Sequence, residues 1–375
     1  MYQYSIPFVW DRPHYEKIAM IQAGAVGNYA HAIMDTGDRR WLADADRITG
    51  YLLTRMQDPA GGFYTSQDAD LRRPGQATVD GIDFYALDDA GRRALGEPRI
   101  DKAVYADLNG LIIHALTELD RADPNPELRA VAVRAGERML RTHRVAAGGF
   151  AHGDLQGKAM PEDGLLHLAD QAAMGRALLG LHRVTGEDRW RVAAVELARF
   201  MVAELGAEDG GFHAHTRDPE AVGVFAQRRK PLVENAAAAR FLIELHGIED
   251  GDGSVDSPWL EHARRTVLAV GSPAQIESRG KVIAGLLIAL ELLMARRLDV
   301  TVVGGDDDPR TEALWRAALA LGEPRAAYEK SLPGVRYPDT GKPAVYLCTD
   351  RSCSRPLSDP ATLREQAAIF IADQL

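Results

Sequence analysis

The chain predicts an all-α fold, an (α/α) toroid of helical hairpins carrying a small α/β element at its C-terminal end. Three observations carry that expectation. Helical periodicity with charged faces recurs through most of residues 1–297. A Gly-Gly-Phe turn follows a helix-like segment three times, at Gly61-Gly62-Phe63, Gly148-Gly149-Phe150 and Gly210-Gly211-Phe212. One connection also repeats almost verbatim, Thr36-Gly37-Asp38-Arg39-Arg40-Trp41 and Thr185-Gly186-Glu187-Asp188-Arg189-Trp190. Repetition on this scale marks stacked units that bury one continuous core. We expect one toroid over 1–297 and a tail over 298–375 packed on it.

The periodic segments are 14–35, 39–57, 107–120, 126–143, 164–184, 187–204, 232–246, 257–269 and 274–297. In the repeated connection, glycine closes one helix, the acid opens the next, and the tryptophan packs between them. Longer loops rich in Gly, Pro and Asp occupy 58–83, 144–163 and 206–231. Loops of that length in a compact domain usually carry function, and their place after the second helix of a hairpin sets all three on one rim. Glycine allows positive φ where the chain leaves a helix, and phenylalanine anchors the loop on the core. In the tail, 298–303 reads as a strand, 311–320 as a helix, 344–347 as a second strand and 360–375 as a closing helix. The Gly304-Gly305-Asp306-Asp307-Asp308 run lacks the lysine of a phosphate cradle.

Composition narrows the function classes. With 375 residues, 46% of them hydrophobic, the chain can bury a large core. Its formal charge of -10 is scattered among arginines, which argues against nucleic acid or an anionic membrane as partner. Residues 1–10 lack the order of a secretory signal, and the apolar stretch 282–295 is interrupted by Glu291 and too short to span a bilayer, so a cytoplasmic protein is expected. Cys348 and Cys353 are the two cysteines; they bridge if the loop between them folds back, and a reduced structural pair is the expectation.

Several motifs resemble, in order, those of the YyaL-like family, related to spermatogenesis-associated thioredoxin-domain proteins. They are Pro13-His14-Tyr15-Glu16-Lys17, Gly61-Gly62-Phe63-Tyr64 with Asp68-Ala69-Asp70, Asp107-Leu108-Asn109-Gly110-Leu111, the 299–304 strand, and Val345 to Cys348 with Cys353 and Pro356. The resemblance implies an (α/α) barrel related to N-acylglucosamine 2-epimerases and six-hairpin glycosidases, preceded in the family by a thioredoxin-like domain. It sets Tyr2-Gln3-Tyr4-Ser5 just after the first hairpin of that barrel. The ring is thus expected to be incomplete, closed by the tail or completed by another polypeptide. The chain departs from the family at Leu108, where a tryptophan is usual, at His167-Leu168-Ala169, where Asp-Tyr-Ala is usual, and near Glu234-Asn235-Ala236-Ala237.

Four groups of residues are candidates for chemistry. His14 beside Glu16 offers an acid–base pair; the competing reading is a helix cap and a satisfied histidine. Asp68 and Asp70 suit sugar hydroxyls, or one half of a hydrolytic pair completed by Asp107 or Asp163; turn-forming aspartates are the simpler explanation. His213 and His215 follow the third Gly-Gly-Phe turn and loosely resemble the histidine pair with which epimerases of this architecture move a proton beside a sugar carbonyl. They suit a metal equally, but no cluster with zinc spacing accompanies them. Asp107 and Asn109 open a helix at the rim, as ligand contacts or as caps. Arg228-Arg229-Lys230 suits an anionic substrate or a solvated loop.

The leading expectation is a carbohydrate-active protein. His213, His215, Asp107 and Asp70 are its catalytic candidates, and Asn109, Asp68, His14, Glu16, Asp163 and Glu234 its substrate-binding ones. No cofactor and no metal are expected. The competing expectation is a non-catalytic helical scaffold that binds a thioredoxin-like protein, marked by an exposed apolar patch at the first helix.

Overall fold

The structure is a computed structural model that describes residues 1–6, 9–249, 258–280 and 282–374. The chain opens on a hairpin of β1 (Tyr4–Ile6) and β2 (Val9–His14), then β3 (Lys17–Ile18) and α1 (Ala19–Thr36). The first helix was expected from residue 14. It starts at 19 because 17–18 pair with β4 (Ser66–Gln67), which pairs in turn with β5 (Ile100–Asp101). A 3₁₀ turn (Arg39–Trp41) leads into α2 (Leu42–Tyr51), which ends in a π turn over Leu52–Met56. Between β4 and β5 lie α3 (Gly81–Ala86) and α4 (Asp89–Leu95), two short helices outside the sequence reading.

Then follow α5 (Ala106–Ala122), α6 (Pro126–Thr142), α7 (Leu168–Thr185), α8 (Asp188–Phe200) with a π turn over Met201–Leu205, α9 (Leu232–Glu249) and α10 (Pro258–Val270). The segment expected as one helix over 274–297 is two, α11 (Pro273–Arg279) and α12 (Ala284–Met294), broken at Gly280 with φ 55°. The tail is β6 (Leu298–Val303), α13 (Pro309–Leu319), β7 (Ala326–Ser331), β8 (Ala344–Cys348) and α14 (Leu363–Gln374). Its sheet runs β7-β6-β8, parallel on the first side and antiparallel on the second. The sequence reading lacked β7. The expected helix start at 257 and end at 375 lie outside the described residues.

The repeated connections fold alike. Gly37 and Gly186 both take φ 71° and donate to Ile33 and His182 carbonyls at the helix ends. The Thr36 and Thr185 hydroxyls donate back to Ala32 and Leu181 and accept from the amides of Asp38 and Glu187. Trp190 is fully buried beside Gly136, where any Cβ would stand 3.3 Å from the indole.

The helices α1, α5, α7, α9 and α12 pack side by side in chain order as the inner wall, with α2, α6, α8 and α10 outside their partners. This is an (α/α) barrel with a contiguous apolar core from Ala19 to Ala289. The wall is open on one side, since among the described residues α12 has no substantial packing on α1. The tail has a core of its own around Val300, Leu314 and Val345, and it covers the C-terminal ends of the inner helices. There Arg121 of α5, paired with Glu118 at 2.9 Å, donates to the Leu319 carbonyl. α14 straps the open side at that end, because Arg364 donates to Met34 of α1 while Arg296, just past α12, donates to Gln374.

Cys348 and Cys353 are joined in a disulfide, which corrects the expectation of a reduced pair. The Thr349 amide donates to the Ser352 carbonyl at 2.9 Å, so the chain folds back and sets the two cysteines opposite each other. No helix among the described residues is long and apolar enough to cross a membrane.

Candidate functional site

The three Gly-Gly-Phe turns build one rim by one device. In each, the amide of the residue after phenylalanine returns to the preceding helix end: Tyr64 to Met56, Ala151 to His143 and His213 to Leu205. The phenylalanine rings are buried to within 2% of full coverage. A buried amide side chain one helix further on then clamps each turn. Asn109 accepts from the Phe63 amide at 2.7 Å and donates to its carbonyl at 3.1 Å. Gln171 does the same for Phe150, and Asn235 for Phe212. Each clamp also donates to the carbonyl four residues back, on Tyr105, His167 and Pro231.

Two residues past each phenylalanine, the chain meets the start of the previous inner helix. The Thr65, His152 and Ala214 carbonyls accept from the amides of Ala19, Ala106 and Leu168, the first residues of α1, α5 and α7. Every turn thus bridges two inner-helix N-termini. At the second turn this geometry gathers three titratable side chains: Asp107 from α5, His152 from the loop and Asp170 from α7.

His152 Nδ1 stands 2.9 Å from Asp170 Oδ1 and 3.8 Å from Asp107 Oδ1. Asp170 is fully buried, its Oδ1 also accepts the Asp107 amide at 2.9 Å, and its Oδ2 has no hydrogen-bond partner among the described residues. The hydrogen bond to Asp170 raises the imidazole pKa above the usual 6.5, against the effect of burial. Burial, and then the charge of Asp170, raises the Asp107 carboxyl above its usual 3.8. His152 and Asp107 keep 44% and 28% of their side-chain surface open to solvent, so both can reach a ligand that Asp170 cannot. The product is a His–Asp dyad whose imidazole stays partly exposed, with a second acid alongside.

Rings extend the site across the rim. Tyr105 stacks on His152 at 4.2 Å, and His167 meets His152 and His215 edge-on at 6.1 Å each. Such faces suit the apolar side of a pyranose or another planar group. Asp107, His152 and Asp170 offer ligand atoms within 4.8 Å of one another and could hold a metal ion. The Nδ1 to Oδ1 distance is already that of a hydrogen bond, so a proton relay is the better description.

Of the sequence candidates, Asp107 belongs to this cluster and His215 reaches it through His167. His213 stands apart; burial first, then Arg228 and Lys230, lowers its pKa. Asp163 is exposed on the same loop, where its charge acts on His152. Glu234 holds in α9 the position before the clamp that Asp170 holds in α7. Asn109 is sealed, with its amide spent on backbone, so it anchors the first turn. The other four lie on the excursion from the first loop or on the N-terminal hairpin. Asp70 accepts the Gly81 amide at 2.9 Å, Asp68 stands 3.5 Å from Arg99, and His14 stacks on Tyr4 and stands 3.5 Å from Glu16. None of them shares a described contact with Asp107 or His152. Arg228 donates to the His215 carbonyl and Lys230 pairs with Asp209, so the basic run braces the third loop.

Sequence reasoning missed His152 and Asp170. Superposing the three repeats would have found both, since His152 stands at the offset of Thr65 and Ala214, and Asp170 directly precedes a clamp residue.

No family model matches the chain. Spermatogenesis-associated protein 20 from Homo sapiens is 26% identical over 129 residues, a stretch that is 34% of this chain and 16% of the human protein. Among solved structures, the cellobiose 2-epimerase from Spirochaeta thermophila superposes with a TM-score of 0.52 at 16% identity, over 71% of this chain and 61% of that one. An α-mannanase of glycoside hydrolase family 76 from Bacteroides thetaiotaomicron gives 0.51 at 13% identity, over 81% and 73%. A D-mannose isomerase gives 0.50 at 14%, over 67% and 59%. At these identities the likeness shows the fold, the (α/α) barrel of six-hairpin sugar epimerases, isomerases and glycosidases. The chain spans about a sixth of the human protein and roughly three fifths of the epimerase and isomerase chains.

Proposed function

We propose that the protein binds a sugar at the rim of the Gly-Gly-Phe turns and moves a proton on it, as an isomerase or epimerase. The observation that carries this is the His152–Asp170 pair, 2.9 Å apart with the carboxylate buried and 44% of the histidine side chain open to solvent. Asp170 fixes the tautomer and favours the imidazolium that forms when Nε2 takes a proton. Asp107, the other accessible group, returns a proton from beside it. The wall of Tyr105, His167 and His215 is the platform for the ring.

A hydrolase would need two carboxylates reaching the substrate from either side of the bond. Here one of the paired carboxylates is sealed beneath the histidine, which supports proton transfer over direct glycosidic attack. The sugar-processing proteins that share the fold support the substrate class.

The test follows the C2 proton of aldoses by NMR in deuterated buffer, after a thermal-shift screen selects binders. We expect deuterium at C2 of a bound sugar and loss of at least about a hundredfold in rate in His152→Ala. Hydrolysis of an aryl glycoside without exchange would overturn the proton-transfer reading. Absence of any sugar binding would favour the scaffold that binds a thioredoxin-like protein. On α1 the one large apolar side chain found exposed is Met20, so the patch expected for that scaffold has no support there.

A further inference from the structure

A second polar site lies at the other end of the barrel, under the tail. A cavity of about 1280 Å³ opens on the unclosed side of the wall, between His31 of α1 and Ile288 of α12. The inner helices α5, α7 and α9 line it with Arg121, Arg176, Arg183 and Arg240 and with Glu118 and Glu244, while α10 adds Arg264 and the tail side adds further arginines and acids. Glu118 is matched by Arg121, and Glu244 is shared by Arg176 at 2.9 Å and Arg183 at 3.2 Å. Arg240 has no ion pair or hydrogen bond among the described residues, and its Nε is sealed from solvent without a partner. The Nδ1 of His114, in the same lining, is sealed and unpartnered as well.

The charge balance identifies what is missing. Burial, with Arg176 beside it, pushes His114 down to about 3, so it is neutral at physiological pH. Burial works to raise Glu118, but Arg121 and the nearby histidines hold it at about 2, so it is charged. Burial likewise opposes Arg176 and Arg183 at Glu244, and the arginines win, keeping that carboxyl below its usual value. His31 is lowered, chiefly by burial. Four guanidiniums against two carboxylates on the inner helices, and ten against six over the whole lining, leave the cavity with a surplus of positive charge. The guanidinium of Arg176 and then burial bring even Arg240 down to about 10, and the charges of Glu244 and Glu118 offset that only in part.

We propose that this cavity binds a phosphate dianion, free or carried on a metabolite-sized molecule, with Arg240 and Arg176 as its clamps. A dianion offsets more of the surplus than a monoanionic carboxylate does, and planar guanidiniums match phosphate oxygens in pairs. The site is distinct from the rim. His114 stands seven residues along α5 from Asp107, about 10 Å down the helix axis.

Calorimetric titration of the full chain with inorganic phosphate, glucose 6-phosphate and glucuronate at low salt tests this. We expect both phosphate-bearing probes to bind and glucuronate to bind at least about tenfold more weakly. Arg240→Gln should lose about tenfold or more of the phosphate affinity. That variant should also melt higher than the parent in phosphate-free buffer, because it removes an unpaired buried charge; a merely structural arginine would melt lower. His152→Ala should retain phosphate binding, which separates this site from the rim. Absence of phosphate binding, equal binding of glucuronate, or unchanged affinity in Arg240→Gln would overturn the proposal.

Discussion

At the scale of single residues, the rim combines groups that hold the fold with groups that strain it. Asn109, Gln171 and Asn235 are buried amides, each satisfying both polar groups of one phenylalanine. Asn235→Ala leaves the Phe212 amide and carbonyl buried without partners, and we expect a loss of about 1–3 kcal/mol, read by urea unfolding. Asp107 works the other way. Its carboxyl pKa is raised in the fold, as is that of His152, so the native state binds both protons more tightly than the unfolded chain does. The stability from those protons is complete below the unfolded values of 3.8 and 6.5 and is lost as pH rises through the raised ones. Asp107→Asn should therefore raise the melting temperature at pH 7.5 more than at pH 4 while abolishing proton transfer. An unchanged difference between the two pH values would contradict the cause assigned to the shift. The sequence made Asp107 and His215 legible because they flank turn and helix-start signals. His152 and Asp170 carried no motif of their own, and only the clamp geometry brings them together.

At the scale of elements, close approach of backbones governs the inner wall. A Cβ on Gly110 of α5 would lie 2.6 Å from the Ala173 carbonyl carbon and 2.8 Å from the Met174 nitrogen in α7. The two helices cross where neither has room for a side chain. Gly110→Ala must push α5 and α7 apart, and we expect a cost of about 1–3 kcal/mol with weaker sugar binding, because Asp107 and Asp170 each sit about one turn from the crossing on those helices. A variant that binds and unfolds like the parent would show that the crossing is slack. Helix ends were legible where glycine or threonine punctuates them, as at Gly37 and Gly186. The start of α1 and the break in 274–297 were not. Pairing of Lys17–Ile18 with a strand nearly fifty residues away overrides helical periodicity, and a single Gly280 in an apolar run looks tolerable to a pattern.

At the scale of the molecule, the tail and the open wall decide behaviour. Residues 298–374 have their own core, yet they hold the barrel through Arg121 to Leu319 and through Arg364 to Met34. Glu118 and Arg121 are both buried at that seam. Glu118→Gln leaves the guanidinium without its carboxylate, and we expect a loss of about 3–5 kcal/mol with barrel and tail still unfolding together in one calorimetric transition. Two separated transitions would show that the tail folds independently of the barrel.

The sequence by itself determined the hairpin toroid, the three-turn rim and the α/β tail, because each is written in local signals: helical periods, glycine stops, and phenylalanines at a fixed offset. Tertiary structure alone decided which side chains meet. The dyad of His152 and Asp170, the sealing of Asn109, the disulfide and the unpaired Arg240 all depend on distances between segments far apart in the chain. Residue spacing sets which face of an element a side chain occupies, but only the packing of one element on the next sets what that face meets.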